Sequence, residues 1–232
     1  MEKNLKYRYE THAHTYPVSK CAKTSVYDTL MFYKKMNYAG VFITNHFIGG
    51  NINMDSNADY KDLVDFYFSD YEEAVKLGNE IGIDVFCGVE LSNKGTDFLI
   101  YGLDKEWFLS HPEIMDMKKS EELSFMAEQG ALIIQAHPYR EASYIDHIRL
   151  YPRHVHGVEI YNGGCDGHTN EMAKLYAEHY SLIAVAGSDF HGRVKDLMYG
   201  IETDKSIKNE ADYKRVVLNQ EFRCFSQEVE VQ

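Results

Sequence analysis

Two histidines separated by one residue, His12 and His14, close the first apolar run of the chain, residues 7–12. In an extended segment residues i and i+2 project to the same side, so these imidazoles either grip one ion or form a pair of surface side chains. Much later, the run 182–187 leads into Ser188, Asp189, Phe190 and His191, a carboxylate and an imidazole at the same spacing. Three runs between them each deliver one further group: His46 after residues 41–45, Glu90 after residues 85–89, and His137 after residues 132–136, ahead of Pro138. A charged or imidazole group directly after a buried apolar strand costs free energy unless it is paired or metal-bound. One such group is commonly a satisfied core residue. Five strand ends doing it together point to a multi-metal site.

The elements that must position these groups follow from hydrophobic periodicity. Seven strands are expected, at 7–12, 40–44, 84–90, 97–102, 131–136, 157–161 and 182–187. A helix over 25–37 starts at Ser25 with Asp28 in the capping-box position and sets Tyr27, Leu30, Met31 and Lys34 on one stripe. A second, over 59–82, carries Leu63, Phe66, Tyr67, Tyr71, Ala74 and Val75, and a third carries Met172, Leu175, Tyr176 and His179. Gly40 and Gly130 stand where helix C-caps would end two helical patterns. Strands alternating with helices, with no linker or repeat, predict one α/β domain over residues 1–232, a small βα barrel. An open doubly wound sheet would show a Gly-rich phosphate loop after the first strand, where this chain has Thr11-His12-Ala13-His14. Barrel enzymes build their sites at the C-terminal ends of the strands, where the five groups fall.

Composition narrows the partners. The 232 residues hold 36 acidic and 24 basic side chains, a formal charge of −12, which disfavours a generally basic surface for nucleic acid. No apolar run approaches the roughly 18 residues of a spanning helix, and the opening residues 1–10 lack a signal-peptide core, so a cytoplasmic protein without a membrane partner is expected. Cys21, Cys87, Cys165 and Cys224 show no C-x-x-C pairing and read as reduced thiols. The eleven histidines are the unusual number. His111, His147, His168 and His179 lie off the strand ends; His154 and His156 precede Gly157-Val158-Glu159, where His156 and Glu159 either face the barrel or are structural or exposed, the second being the expectation. The acidic tail 228–230 reads as a solvated end.

In order along the chain, His12-x-His14, Thr44-Asn45-His46, Gly88-Val89-Glu90, Ala136-His137-Pro138 and Gly187-Ser188-Asp189-Phe190-His191 resemble the PHP family, named for polymerase and histidinol phosphatase. The resemblance spans residues 9–192. It implies a distorted seven-stranded, TIM-like (β/α)7 barrel and phosphoester hydrolysis at a cluster of two or three divalent ions. By the same resemblance His12, His14, His46, Glu90, His137, Asp189 and His191 would be ligands, with Glu90 bridging, and Glu90, Asp189 and His191 central to catalysis. Asp97 would be a further ligand where members commonly carry a histidine; the alternatives are a strand cap, or confusion with Asp104. Members often carry Asp or His five or six residues after the second histidine. Ser19 and Lys20 stand there, followed by Cys21, with Lys20 a candidate to replace part of the missing ion's charge. Asn45 replaces a frequent Asp expected to orient His46.

His and carboxylate ligands accept zinc, manganese or iron alike. Paired cations acidify a water and orient a phosphate for attack by a metal-activated hydroxide. Arg140 and Arg193, three and two residues past His137 and His191, offer guanidinium forks for phosphate, or are surface arginines on an acidic chain. Asn162 ends the sixth strand and is a candidate substrate contact. The expected partner is a small phosphorylated metabolite, with a phosphomonoesterase as the first reading. A nuclease or phosphodiesterase comes second and a non-catalytic metal-binding regulatory module third.

Overall fold

The computed structural model describes residues 7–55, 57–193 and 196–229; the opening segment 1–6 and Glu230 of the acidic tail, on which expectations rest, lie outside them. The elements in chain order are β1 (Tyr7–Ala13), α1 (Val26–Lys35), β2 (Gly40–Ile43), α2 (Tyr60–Ile81), β3 (Asp84–Asn93), β4 (Thr96–Tyr101), α3 (Lys105–Ser110), α4 (Lys119–Glu128), β5 (Leu132–Ala136), β6 (Gly157–Asn162), α5 (Gly167–Tyr180), β7 (Ile183–Gly187), β8 (Leu197–Thr203), α6 (Glu210–Leu218) and β9 (Phe222–Glu228). A short 3-10 turn, Pro112–Asp116, links α3 to α4.

All the strands join one sheet in the order β7-β6-β5-β4-β3-β2-β1-β8-β9. It curls until its ends nearly meet, giving a distorted TIM-like barrel. The seven expected strands are present. β8 and β9 are additions that the periodicity did not reveal, and β8 pairs antiparallel with β1 over Tyr7–Tyr9, the edge that the last strand, β7, would take in a regularly closed seven-stranded barrel. β7 therefore reaches β1 only near the strand ends, through a parallel bridge between Ala13 and Phe190. The Phe190 amide donates to the His12 carbonyl at 3.2 Å and the His14 amide to the Phe190 carbonyl at 2.9 Å. That bridge still brings the His12/His14 and Asp189/His191 pairs together.

A second departure from repeated βα units is β4, which runs antiparallel to both β3 and β5. The reversal is made by Lys94 and Gly95 at φ +54° and +81°, between the paired residues Asn93 and Thr96. Two left-handed residues in a two-residue loop match the twist of the flanking strands. In consequence Asp97, at the start of β4, lies at the same barrel end as Glu90 and His137.

Alternation along the strands sorts side chains into an inner and an outer core. Phe42, Phe86, Leu99, Tyr101, Leu132 and Ile134 fill the barrel together with Tyr9 and Val185. α6 closes its lower end, with the Tyr213 ring 4.3 Å from Phe42 and 4.9 Å from Tyr101, centroid to centroid. On the outside, α2, α3 and α4 pack over Val89, Leu91, Phe98, Ile100 and Ile133. β1 breaks the alternation. Tyr9 faces the barrel interior while Ala13 belongs to the outer core under α1, and the register with β2 shifts between Glu10 and Ala13. This bulge turns His12 and His14, rather than Thr11 and Ala13, toward the centre.

The helices are where the sequence places them, but two faces are rotated. Ser25 caps α1 and accepts from the Asp28 amide, a contact worth about 1 kcal/mol. Its buried face is Val26, Thr29, Leu30 and Tyr33, while Tyr27 and Met31 are exposed. In α5 the buried residues are Asn170, Ala173, Tyr176 and Ala177, with Leu175 exposed. The α5 stripe is dominated by small or polar residues packed on the sheet, which a count of large apolar side chains overlooks, while α1 keeps Leu30 inward and adds Val26 and Tyr33. Tyr67 of α2 is a core residue, as its stripe predicts, and its neighbour Phe68 is another. Gly40 is not a cap; it begins β2, and Asn37 at φ +60° turns the chain after α1.

Candidate metal centre

The upper end of the barrel gathers His12, His14, His46, Glu90, Asp97, His137, Asp189 and His191. They form four overlapping groups, His14/His46/His191, His12/His14/Glu90, His12/His137/Asp189 and Glu90/Asp97/His137, each with its donor atoms within 4.8 Å of one another. His12, His14, Glu90, Asp97, His137 and Asp189 are buried, while His46 and His191 sit at the rim.

The geometry inside the cluster differs from that of ordinary hydrogen bonding. His12 Nε2 lies 3.2 Å from Glu90 Oε1 and 3.5 Å from Asp189 Oδ1, His14 Nε2 lies 3.3 Å from Asp189 Oδ1, and His137 Nε2 lies 3.4 Å from Glu90 Oε1. Yet both oxygens of Glu90 and both of Asp189 lack a directed hydrogen bond, although each carboxylate is buried. His12 Nε2 and His14 Nε2 also point at each other at 3.1 Å. Donor atoms that crowd one volume without pairing are what a cation would satisfy. The charges lean the same way. Burial pushes the Glu90 carboxyl up, but His46 and His12 outweigh it and hold it well below the usual range; for Asp189, His12 is the leading charge that overcomes burial. His14 is driven down by burial and by the neighbouring His191 and His46 rings, so it stays a neutral ligand.

Buried partners behind the cluster fix which ring nitrogen faces inward. Both Glu159 oxygens lie against His12 Nδ1, at 3.1 and 3.3 Å, so that nitrogen carries the proton and Nε2 is free. Gly187 makes room for this contact, since a Cβ there would lie 2.6 Å from Glu159 Oε1 and 2.7 Å from His12 Cβ. His14 is set by a longer relay. Asp70 accepts from Asn45 Nδ2 and Thr15 Oγ1, which leaves Asn45 Oδ1 to accept from the Thr15 amide and from Ser19 Oγ. The single Ser19 proton is thus committed, so Ser19 Oγ accepts from His14 Nδ1 at 3.0 Å and from the His46 amide at 3.0 Å. Asn45 therefore acts on His14 through Ser19, not on the His46 ring as expected.

His137 and Asp189 both have left-handed backbones, φ +27° and +51°. For residues other than glycine this costs of order 1–3 kcal/mol and persists where surrounding structure over-determines it, a pattern concentrated at functional sites.

Other candidates divide clearly. Arg140 reaches the cluster, with Nη2 3.2 Å from Asp189 Oδ2 and Nη1 3.3 Å from His137 Nε2, and a cleft of about 560 Å³ opens beside it toward Ile145 and His147. Arg193 is exposed next to Gly192. Asn162 is buried, donating to Glu159 Oε2 at 2.7 Å and accepting from the Gly164 amide at 2.6 Å. Asp97 accepts from Ser92 Oγ, while Asp104 caps α3 through the Trp107 amide. Lys20 is exposed and lends the centre no buried charge, whereas the Cys21 thiol contacts His46 and His191. Burial raises that thiol, but hydrogen bonds from His191 and then His46 prevail and bring it down to about 6. His111 stacks on Trp107, His154 meets Ser124, and His156 accepts from the Ile133 amide. Glu159, for which a barrel-facing position was the alternative to a structural or exposed one, is wholly buried behind His12. Its signal was present, because Gly157-Val158-Glu159 repeats the tripeptide Gly88-Val89-Glu90.

No family model and no curated protein matches this chain. Solved structures do. A two-domain protein of Bacteroides vulgatus, described as containing a predicted PHP-like metal-dependent phosphoesterase, superposes with a TM-score of 0.67 at 15% identity over 94% of this chain. The chain has the PHP fold. It spans 64% of that Bacteroides protein. PsfC of Pseudomonas syringae shares the PHP-type barrel at a TM-score of 0.61 and 15% identity, over 97% of this chain and 93% of PsfC. A Bifidobacterium adolescentis protein, provisionally described as a metal-dependent phosphoesterase, matches at 0.54 and 13% identity, over 81% of this chain and 88% of its own. At these identities the likeness is one of fold, so the chemistry rests on the side chains above. Among the described residues no helix is long and apolar enough to cross a membrane.

Proposed function

We propose that the protein is a metal-dependent phosphoesterase that hydrolyses a small phosphomonoester. The observation that carries this is the set of buried carboxylate oxygens of Glu90 and Asp189, without directed hydrogen bonds, amid five imidazoles, with the Arg140 guanidinium at its edge. His12, His14, Glu90 and Asp189, with His137 and Asp97, would hold two divalent ions, and His46 and His191 a third. Zinc, manganese and iron all suit such donors. When bound, the ions would supply acidified water and charge neutralisation for a phosphate.

The chain's own residues do the rest. Glu159 and Ser19 hold His12 and His14 with Nδ1 protonated, so the Nε2 lone pairs stay directed inward without rearrangement. Arg140, which bridges Asp189 and the cleft, turns its fork to two phosphate oxygens and fixes the ester against the cluster. Arg193 supplies a second cation from the rim. Walls formed by Ile145 and His147 leave space for a small leaving group, and the acidic surface disfavours a long nucleic acid. The purified protein, supplied with Mn²⁺, Zn²⁺ or Fe²⁺, should release phosphate from a panel of phosphomonoesters and bind about two to three metal equivalents. Metal loading without phosphate release from any of them would reject the substrate class.

A further inference from the structure

The loop 15–24 carries a thiol into the cluster where the nearby Ser19 and Lys20 offer no ligand. Lys20 is exposed, and Ser19 is spent on His14, His46 and Asn45. Cys21 is half-buried between Ser19, whose hydroxyl meets His14, and Lys23, whose amide meets the His191 carbonyl, which places its thiol beside the His46 and His191 rings. Those two rings and His14 already form a group whose ring nitrogens lie within 4.8 Å of one another. The buried Glu90 Oε2, without a directed hydrogen bond, sits against His46 Nδ1. His191 donates from Nδ1 to the Asp189 carbonyl at 3.0 Å, which leaves its Nε2 lone pair for an ion.

The thiol is held there by its backbone. The Lys23 amide donates to the His191 carbonyl at 2.9 Å, the Lys20 amide to Asn51 at 3.0 Å, the Ala22 amide to Ser19 at 3.0 Å and the Tyr16 amide to Thr24 at 2.9 Å. The loop is thus tied to both flanks of the cluster, so Cys21 does not depend on a chance rotamer of a free segment.

We propose that Cys21 is a thiolate ligand of the metal at the rim, completing with His46 and His191 a mixed sulfur and nitrogen site. This inference rests on the metal centre of the preceding section but not on its substrate. A thiolate is a soft donor, whereas the deeper positions, built from imidazole and carboxylate, accept harder ions. The rim position therefore selects zinc, or cobalt as its spectroscopic substitute, over manganese and magnesium, and the cluster holds metals of two characters. Binding there displaces the thiol proton, which leaves to solvent as the metal–sulfur bond forms.

The test is cobalt titration of the metal-stripped full-length protein, followed by absorbance. Wild type should develop a near-ultraviolet thiolate-to-cobalt charge-transfer band as well as visible d–d bands. Cys21→Ser should lose the ultraviolet band, keep visible bands from the deeper positions and bind about one equivalent fewer. Cys165→Ser, which removes a different partly buried thiol, should match wild type. In an independent measurement that needs no variant, zinc should slow alkylation of Cys21 in wild type at least tenfold, as read by peptide mass, while magnesium should not. Cobalt d–d bands without a sulfur band, a band that survives in Cys21→Ser, or alkylation indifferent to zinc would each overturn the thiolate assignment and leave the deeper centre standing. Failure to bind cobalt at all would overturn both.

Discussion

The Glu159 carboxylate lies 3.1 Å from Nδ1 of His12, and neither side chain has any exposure to solvent. Strand β6 thereby dictates the tautomer of a ligand on β1, across the gap where the barrel is joined only near its strand ends. Glu159→Gln keeps the size and one acceptor oxygen but removes the charge that makes Nε2 a better donor. Metal affinity should fall 10- to 100-fold, as losses of such supporting carboxylates do. Competition with a chromophoric chelator measures it. Unchanged affinity would mean that His12 is held by packing alone.

Asp189 brings together a buried carboxylate without directed partners and a backbone at φ +51°. Asparagine tolerates that left-handed conformation better than most residues, so Asp189→Asn should fold normally by circular dichroism. Its neutral amide cannot share an ion with His12 and His137. Transition-state stabilisation of several kcal/mol should disappear with it, a loss on the order of 10³-fold or more in kcat/KM toward any phosphomonoester the wild type cleaves. A variant with near-normal turnover would remove Asp189 from the centre.

Much of this was readable in the chain because the ligands follow buried apolar strands, where a polar group is costly and therefore conspicuous. What escaped was whatever depends on a partner distant in sequence. The β1 bulge decides whether His12 or Thr11 faces inward, yet it exists only as a register shift against β2. β8 and β9 lie past the last ligand pair, where Gly200 interrupts the apolar run of one and polar residues interrupt that of the other. The role of Ser19 needs Asn45 and Asp70 to be spent first, a chain of commitments that no local pattern encodes. The role of Glu159 stayed open between a barrel-facing and a structural position for the same reason, since only the fold brings β6 against His12.

Arg140 competes with any cation for Asp189, since its Nη2 is 3.2 Å from Oδ2. Two opposite effects follow from removing it. Arg140→Ala should weaken phosphoester recognition by the worth of a charge-assisted pair, about 1.5–3 kcal/mol, or roughly 10- to 150-fold in kcat/KM. The same variant should bind metal no worse than wild type, and tighter where Asp189 is a ligand. Arg140→Lys, which keeps the charge and loses the fork, should lie between. Steady-state kinetics at saturating metal separates the effects, and parallel losses of metal and substrate affinity would contradict the assignment.

Glu10 gives the fold a pH dependence of its own. Its carboxyl is fully buried beside the cluster and accepts from the amides of His12 at 2.9 Å and Ser188 at 2.8 Å and from Tyr33 Oη at 2.8 Å. Burial nevertheless outweighs these donors and lifts it from 4.5 to about 7. The folded protein thus holds this proton to higher pH than the unfolded chain. Below pH 4.5 both states are protonated and no penalty arises. Between pH 4.5 and 7 unfolding releases the proton, so stability falls as pH rises, and above 7 the penalty is constant. At about 1.4 kcal/mol per pKa unit it reaches about 3 kcal/mol. Glu10→Gln preserves the contacts, since its amide oxygen can accept from both backbone amides while its NH₂ donates to Tyr33 in place of the present bond. Urea unfolding of both proteins in EDTA, at pH 5, 6 and 7.5, cancels the contribution of the histidine ligands. The variant should gain on wild type steadily across this window, and a constant difference would show that Glu10 is ionised throughout.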